Sequence, residues 1–186
     1  SETGLAQARE CAAQLRPFGF VGVVTSDLAR ARVTAEVLAA ELGLRDPTID
    51  ARLRERDVGE WSGLTDAEIG VRWPGEPERW RAHADRVPPG GGEPAAASAG
   101  RRAEALRAAA RVHAPGPVLV VSHGGVLRAL VRRLGAAEEH VGNLGGRWFG
   151  VGPTGLACGP RFVPPWEPDA GGVSSRDARD RSGPRV

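Results

Sequence analysis

Two periods of apolar residues recur along the chain and predict helices that alternate with strands. A period of about 3.6 residues predicts helices at Thr3–Leu15 and Asp27–Leu42. Short apolar runs between turn residues predict a strand at Gly19–Thr25 and another that begins at Val118. The apolar stripe of the second helix consists of Leu28, Ala31, Ala35, Leu38 and Leu42. It stops at Gly43, a residue type that commonly ends helices.

The rest of the chain carries weaker patterns of the same kind. In chain order they predict an extended piece at Thr48–Leu53, a helix at Thr65–Arg72, a loop at Val87–Gly100, a helix at Arg101–His113, a helix that ends near Leu134, and strand-like pieces at Arg147–Val151 and Leu156–Cys158. Because strands alternate with helices, we expect an α/β fold of three layers, α/β/α, around a mainly parallel sheet. In such a sheet functional residues collect at the carboxyl ends of the strands.

The length of 186 residues suits one compact domain, which we expect to span residues 1–163. From Pro164 onward the sequence PPWEPDAGGVSSRDARDRSGPRV has too few apolar residues to pack against a core. We therefore expect residues 164–186 to form a disordered C-terminal tail.

Charge and composition argue against several classes of function. The formal net charge is only +2, and arginines alternate with acidic residues along the predicted helices, so we expect no nucleic-acid partner. No apolar run approaches the roughly 20 residues that span a bilayer, so we expect no membrane partner. Cys11 and Cys158 form no C-x-x-C pair, which indicates neither a disulfide framework nor a thiolate metal site. A reducing, cytoplasmic setting fits this pattern.

The segment VLVVSHGGVLRALV joins a predicted strand to a predicted helix. The apolar run breaks at His123 and two glycines and then resumes with helical spacing. The carboxyl end of a strand and the amino end of the next helix form a rim at which backbone N–H groups and the helix dipole favour an anion. His123 is therefore a candidate ligand of a phosphate group. The alternative is a histidine at a helix start that bonds only to backbone.

A second segment, TSDLARARVTAEVL, brings Arg30 to the same rim. The predicted strand ends at Thr25, Ser26 can cap the helix, and Arg30 sits in the first turn, away from the apolar stripe. A guanidinium presents a planar fork to two phosphate oxygens. Arg32, on an exposed helix turn, is the comparison residue that we expect to be only solvated.

A third segment, ARLRERDVGEWSGL, is dense in charge yet interleaved with apolar residues. It should pack against the domain while presenting some of its acidic groups inward, and the candidates are Glu55, Asp57 and Glu60. A carboxyl group in a partly apolar loop suits proton donation. The alternative is a surface ion pair of Glu55 or Glu60 with a neighbouring arginine, for which the candidates are Arg52, Arg54 and Arg56.

Together the three segments resemble the histidine phosphatase superfamily, which has the phosphoglycerate mutase-like fold. The family forms S-x-L-x-R-A-x-x-T-A, L-x-E-x-x-x-G-x-W-x-G and a strand ending in S-H-G-G read here SDLARARVTA, LRERDVGEWSG and VLVVSHGG. The resemblance covers about Thr3 to Phe149. It implies that Arg30 clamps the phosphate, Glu55 is the acid/base, His123 is the second pocket histidine, and the Gly124 N–H faces the phosphate. It also implies that neither a metal nor a cofactor is needed.

The sequence departs from the family pattern at its start. The family's nucleophile is a histidine in an R-H-G motif on a strand before the ETG helix, and the printed sequence starts at that helix. None of His83, His113 and His140 sits in such a motif. We therefore expect a sheet that lacks its first strand, with a groove in its place. PGGGEPA resembles the family's P-G-G-E-S loop with Pro94 in place of serine, which makes Glu93 a further candidate for the pocket rim.

The resemblance implies a phosphatase that hydrolyses a phosphate monoester through a phosphohistidine, impaired in this chain because the nucleophile is missing. The expected partner is a small phosphate ester, and the sequence predicts no oligomeric state. One alternative is a non-catalytic module that binds phosphate esters. Another is a phosphotransferase of the phosphoglycerate mutase type, if the chain is completed. An unrelated α/β hydrolase using Ser122 is a further alternative, although SHGG lacks the G-x-S-x-G elbow.

Overall fold

A short parallel sheet lies between two pairs of helices. The computed structural model describes residues 1–82, 91–137 and 141–166. The helices are α1 (Glu2–Leu15), α2 (Ala29–Leu42), α3 (Asp66–Arg72), α4 (Glu76–Ala82), α5 (Ala95–His113) and α6 (Gly124–Arg133). The strands are β1 (Gly22–Thr25), β2 (Thr48–Ile49), β3 (Val118–Val121), β4 (Gly146–Gly152) and β5 (Gly155–Phe162). Single turns of 3-10 helix occur at Arg16–Phe18, Ala51–Leu53 and Gly59–Trp61.

The sheet has the strand order β2-β1-β3 and is parallel throughout. Its central strand β1 is buried along its whole length, which explains the unbroken apolar run in the sequence. Successive side chains point to opposite faces, so Val23 packs with α1 and α2 whereas Val24 packs with α5. This arrangement confirms the expected three-layer α/β/α fold.

The helices cover the two faces with small and aliphatic side chains. On one face α1 and α2 contribute Cys11, Ala12, Leu15, Ala35 and Leu38. On the other face α5 and α6 contribute Ala103, Ala105, Leu106, Val126 and Leu130. The many alanines allow these helices to lie close to the sheet, so the domain builds its core with few aromatic residues.

The strand β3 forms one edge of the parallel sheet within the described residues. Beyond it, β4 and β5 pair with each other as an antiparallel hairpin. A groove of about 950 Å³ separates β3 from the hairpin. Its apolar lining includes Leu15, Phe20, Leu119, Phe149 and Phe162, and His123 lies at one end. A groove was expected here.

The predicted loop at Val87–Gly100 is wrong for its second half. Helix α5 begins at Ala95, directly after Pro94, and Ala99 is buried. The alanines of this segment favour helix strongly, and one face of the helix gains burial, which outweighs the cost of Gly100. Residues 83–90 lie outside the described part of the chain. Helix α4, which the sequence analysis did not predict, also forms.

The packed part of the chain continues beyond the predicted domain boundary. Pro164 is among the fully buried residues, and Trp166 packs against the core formed by α1, α2 and the sheet. The predicted tail from residue 167 onward lies outside the described residues, so the division into domain and tail stays a prediction.

The helices in the described ranges include none that is long and apolar enough to cross a membrane.

Substitution of Leu53 tests the core on the α5 face. Leu53 is only 1% exposed and packs with Val24, Ala105 and Ala109. We expect Leu53→Ala to lower the free energy of unfolding by about 2–5 kcal/mol, because it removes buried methyl groups and leaves a cavity. Val71→Ala, at a site that is 81% exposed, should change it by less than about 0.5 kcal/mol. Urea denaturation followed by circular dichroism measures both, and equal losses would contradict this account of the core.

Candidate active site

The carboxyl ends of β1 and β3 lie side by side because these strands are in parallel register. Thr25 is opposite Val121, and the Ser26 N–H donates to the Val121 carbonyl at 3.1 Å. The residues that follow each strand therefore meet at one rim. There the Nε2 atom of His123 lies 2.9 Å from Oγ of Ser26, at hydrogen-bonding distance.

His123 occupies the N-cap position of helix α6, and its backbone is extended. Ser26, which is completely buried, holds the ring, and its hydroxyl also accepts the Leu28 N–H at 3.3 Å. Burial, and after it the positive charge of Arg30, lowers the pKa of His123 below its usual value of 6.5. The imidazole is therefore neutral at pH 7, and it retains one ring N–H for donation.

Glu55 reaches the same rim from the loop after the Ala51–Leu53 turn. Ser122 fixes this loop, because its hydroxyl donates to the Leu53 carbonyl at 2.7 Å. The Glu55 carboxylate then accepts two backbone N–H groups. Oε1 accepts the N–H of Arg56 at 2.9 Å, and Oε2 accepts the N–H of Gly125 at 3.2 Å.

Gly125 faces the Glu55 carboxylate so closely that a side chain at this position would displace the end of Glu55. A Cβ at this position would lie 2.6 Å from Oε1 and 2.8 Å from Oε2 of Glu55. The second glycine of the SHGG segment thus allows the close approach of a carboxylate to the first turn of α6.

Arg30 and Gly124 complete the rim, and among the described residues the Arg30 guanidinium has no ion-pair partner. Arg30 lies in the first turn of α2, is exposed, and is near enough to His123 to act on its pKa. Gly124 is the first residue of α6, where helix N–H groups have no intrahelical acceptor. An exposed cation and a helix N-terminus at one rim favour an anion.

The structure also decides which arginines take part in ion pairs. Arg52 pairs with Asp50, and Arg54 forms a two-pronged pair with Asp27. The alternative of a Glu55 pair with Arg52 or Arg54 is therefore wrong.

Two other acidic candidates of this region serve the loop itself. Asp57 accepts the Gly59 N–H at 2.8 Å. Glu93 pairs with Arg101 at 2.6 Å, and the Arg101 guanidinium lowers the pKa of Glu93. Among the described residues, no group of three or more His, Cys, Asp or Glu side chains could hold a metal ion.

Arg102 is a site residue that the sequence analysis did not single out. Its side chain is completely buried, and Nη2 lies 3.5 Å from Oε1 of Glu55. It falls on the buried stripe of α5 with Ala99, Ala103 and Leu106, spaced by three and four residues. An arginine within an apolar stripe was the available signal, because arginines seldom face a core unless they meet an acidic group there.

The lowered pKa of His123 predicts a pH dependence of stability. A folded protein whose histidine has a depressed pKa binds fewer protons than the unfolded chain, so this contribution is complete above pH 6.5 and declines as the pH falls through the folded pKa. We expect the free energy of unfolding to fall more between pH 7.5 and pH 5 in the wild type than in His123→Gln. Denaturation at several pH values measures this, and parallel curves would contradict it. The carboxyl groups with lowered pKa, such as Glu93, act at lower pH in both proteins.

Sequence comparison identifies relatives of two activities. Glucosyl-3-phosphoglycerate phosphatase of Mycobacterium tuberculosis is 34% identical over 175 residues, which cover 90% of this chain and 75% of that protein. The 2,3-bisphosphoglycerate-dependent phosphoglycerate mutase of a Methylobacterium species is 40% identical over 162 residues, covering 81% of this chain and 76% of that protein. Metal-independent phosphoserine phosphatase of Arabidopsis thaliana is 38% identical over 147 residues, which cover 75% of this chain and 59% of that protein.

Structural comparison agrees with the sequence. Mycobacterial glucosyl-3-phosphoglycerate phosphatase in complex with VO3 superimposes with a TM-score of 0.73 at 29% identity, covering 85% of this chain and 84% of that one. The sequence pattern of the histidine phosphatase superfamily (branch 1) matches residues 1–146. By this match and by the relatives above, the chain belongs to the histidine phosphatase superfamily.

Proposed function

We propose that this chain is a phosphomonoesterase of small phosphate esters, with Arg30, Glu55, His123 and the Gly124 N–H as its site. The observation that carries the proposal is their meeting at one rim, where Ser26 and Gly125 hold His123 and Glu55. The family supports an enzyme that is a phosphatase or a mutase. The alternative of an unrelated α/β hydrolase is wrong, because the chain belongs to this family.

In this proposal the phosphoryl group of the substrate lies at the N-terminus of α6. The Gly124 N–H and the dipole of the helix face its oxygens, and the Arg30 guanidinium donates hydrogen bonds to two of them. His123 donates its remaining ring N–H to one oxygen. These donors are in place before the reaction, so they stabilise the charge that builds up on the transferring group.

Glu55 would then handle the proton of the leaving group. As the P–O bond of the ester breaks, the protonated carboxyl group gives its proton to the departing alcohol oxygen. In the second step the carboxylate takes a proton from the water that attacks phosphorus, and inorganic phosphate is released. Glu55 ends in the form in which it began.

The nucleophile would come from a histidine on a strand that lies in the groove beside β3. The free edge of β3 and the apolar lining of the groove suit one added strand. If that strand ran parallel to β3, its carboxyl end would reach the rim next to His123. Its histidine would attack phosphorus to form a phosphohistidine, which water then hydrolyses. Without such a strand the chain would bind phosphate esters without turning them over.

We favour hydrolysis over phosphoryl transfer between hydroxyl groups, because the sequence between Glu55 and His123 is short, and the resemblance to the family implies longer insertions there in mutases. The free cysteines, of which Cys11 is buried, support a reducing cytoplasmic setting for the reaction.

Arg30→Ala tests the phosphate pocket in the chain as it is. We expect inorganic phosphate to bind about 10 to 100 times more weakly, because a charge-assisted hydrogen bond contributes about 1.5–3 kcal/mol. Arg32→Ala, which removes an exposed arginine two residues along the same helix, should leave the affinity unchanged. Isothermal titration calorimetry measures both. Equal affinities in the two variants would contradict the assignment of Arg30.

The protein made by its own cell tests the proposed nucleophile. We expect intact mass and N-terminal peptide sequencing to reveal a longer chain with an R-H-G motif before Ser1, and this chain should hydrolyse p-nitrophenyl phosphate. Replacing that histidine should abolish turnover while phosphate still binds. A chain that begins at Ser1, binds phosphate and shows no turnover would favour a non-catalytic binding module instead.

A further inference from the structure

Arg102 is an arginine whose burial the proposed chemistry has not yet explained. Helix α5 places it on the stripe that packs against the sheet and α6, and none of its side chain is exposed. A guanidinium removed from water requires compensation by hydrogen bonds or by an opposite charge. Most of the arginines in the described part of the chain are exposed to water and need no such compensation.

The guanidinium of Arg102 has no hydrogen-bond partner among the described residues. This holds for Nε, Nη1 and Nη2. Its ion-pair partner is Glu55, at 3.5 Å between Nη2 and Oε1. Burial lowers the pKa of Arg102 to about 10, with Arg101 and Arg56 acting in the same direction and Glu55 and Glu93 against it. The group therefore remains a cation at neutral pH.

The neighbouring Arg101 shows what a structural arginine looks like in this helix. Its guanidinium pairs with both oxygens of Glu93 and donates to the carbonyls of Arg52 and Arg54. Arg101 thus fixes the backbone of the loop that carries Glu55. Arg102 makes no such backbone bond and directs its positive charge at the carboxylate instead.

Glu55 is held from two sides, and Arg102 lies on the buried one. Backbone N–H groups of Arg56 and Gly125 engage its two oxygens, and a third of its side chain, 33%, remains exposed. Hydrogen bonds from these amides fix where the oxygens lie. The Arg102 guanidinium adds an opposite charge behind these oxygens and keeps the side chain against the buried side of the rim.

We propose that Arg102 is the positioning residue of Glu55, holding its carboxyl group at the rim in the orientation from which it gives up and takes back its proton. This rests on the proposed role of Glu55. The proton moves from Glu55 to the leaving oxygen and returns from the attacking water, and Arg102 keeps its own protons throughout.

The dependence on the leaving group separates this role from a structural one. A p-nitrophenolate leaves without a proton, whereas the alkoxide of glycerol phosphate needs one. In the full chain made by its own cell, Arg102→Met should lower kcat/KM, which reports the step that releases the alcohol, by about tenfold or more for glycerol phosphate and by about twofold or less for p-nitrophenyl phosphate. Arg102→Lys, which keeps the charge, should recover part of the loss. The exposed Arg107→Met, on the same helix, should affect neither ester.

A spectroscopic measurement tests Arg102 without turnover. The Gly125 amide donates to Glu55, so its ¹H–¹⁵N resonance in the free protein reports where the carboxylate lies. We expect Arg102→Met and Glu55→Gln to move this resonance, and the double variant to move it no further than Glu55→Gln alone.

Several outcomes would overturn the proposal. They are equal losses of kcat/KM for both esters in a folded Arg102→Met, an unmoved Gly125 resonance, and a failure of Arg102→Lys to fold, which would indicate a purely structural role. If the wild type hydrolyses neither ester, the proposed phosphatase function fails, and the resonance of Gly125 still decides whether Arg102 positions Glu55.

Discussion

The parallel pairing of β1 with β3 is the constraint on which the rest of the site depends. It sets Thr25 opposite Val121, so the two strands end at the same edge of the sheet. The helices that follow them, α2 and α6, have their N-termini at this rim. The contact between Ser26 and His123 exists only in this register. A slip of one residue would exchange the two faces of β3 and move His123 away from its partner.

Some charged side chains at the rim pair with each other and fix the loops, whereas others remain available to bind a ligand. The pair of Arg54 with Asp27 joins segments that are far apart in sequence, and the pair of Arg101 with Glu93 ties α5 to the loop directly before it. An exposed pair such as Arg54 with Asp27 contributes little stability, but it orients the chain. Arg30 stays outside these pairs, and a ligand can use its charge in full. The pair with Asp27 also directs the charge of Arg54 away from the neighbouring Glu55.

The fold and most of the rim could be predicted because their signals are local. Apolar periods located β1, α2 and β3, and the residues that follow each strand had to meet once the sheet was parallel. Arg102 could not be placed in this way. In an arginine-rich helix its inward direction depends on a carboxylate about fifty residues earlier in the chain, which no local period records. The start of α5 was missed because Pro94 and the glycines before it are typical of loops, while the burial of Ala99 favours helix.

Gly125 shows how binding and proton transfer can be separated in this pocket by shape alone. The methyl group of an alanine there would meet the end of the Glu55 side chain, 2.6 Å away, and that flexible end would move while the helix stayed in place. The exchange alters no charge, and alanine favours helix more than glycine does. If the proposed roles hold, a chain altered in this way would keep its affinity for phosphate and lose the proposed acid Glu55, although the change looks harmless in a sequence comparison.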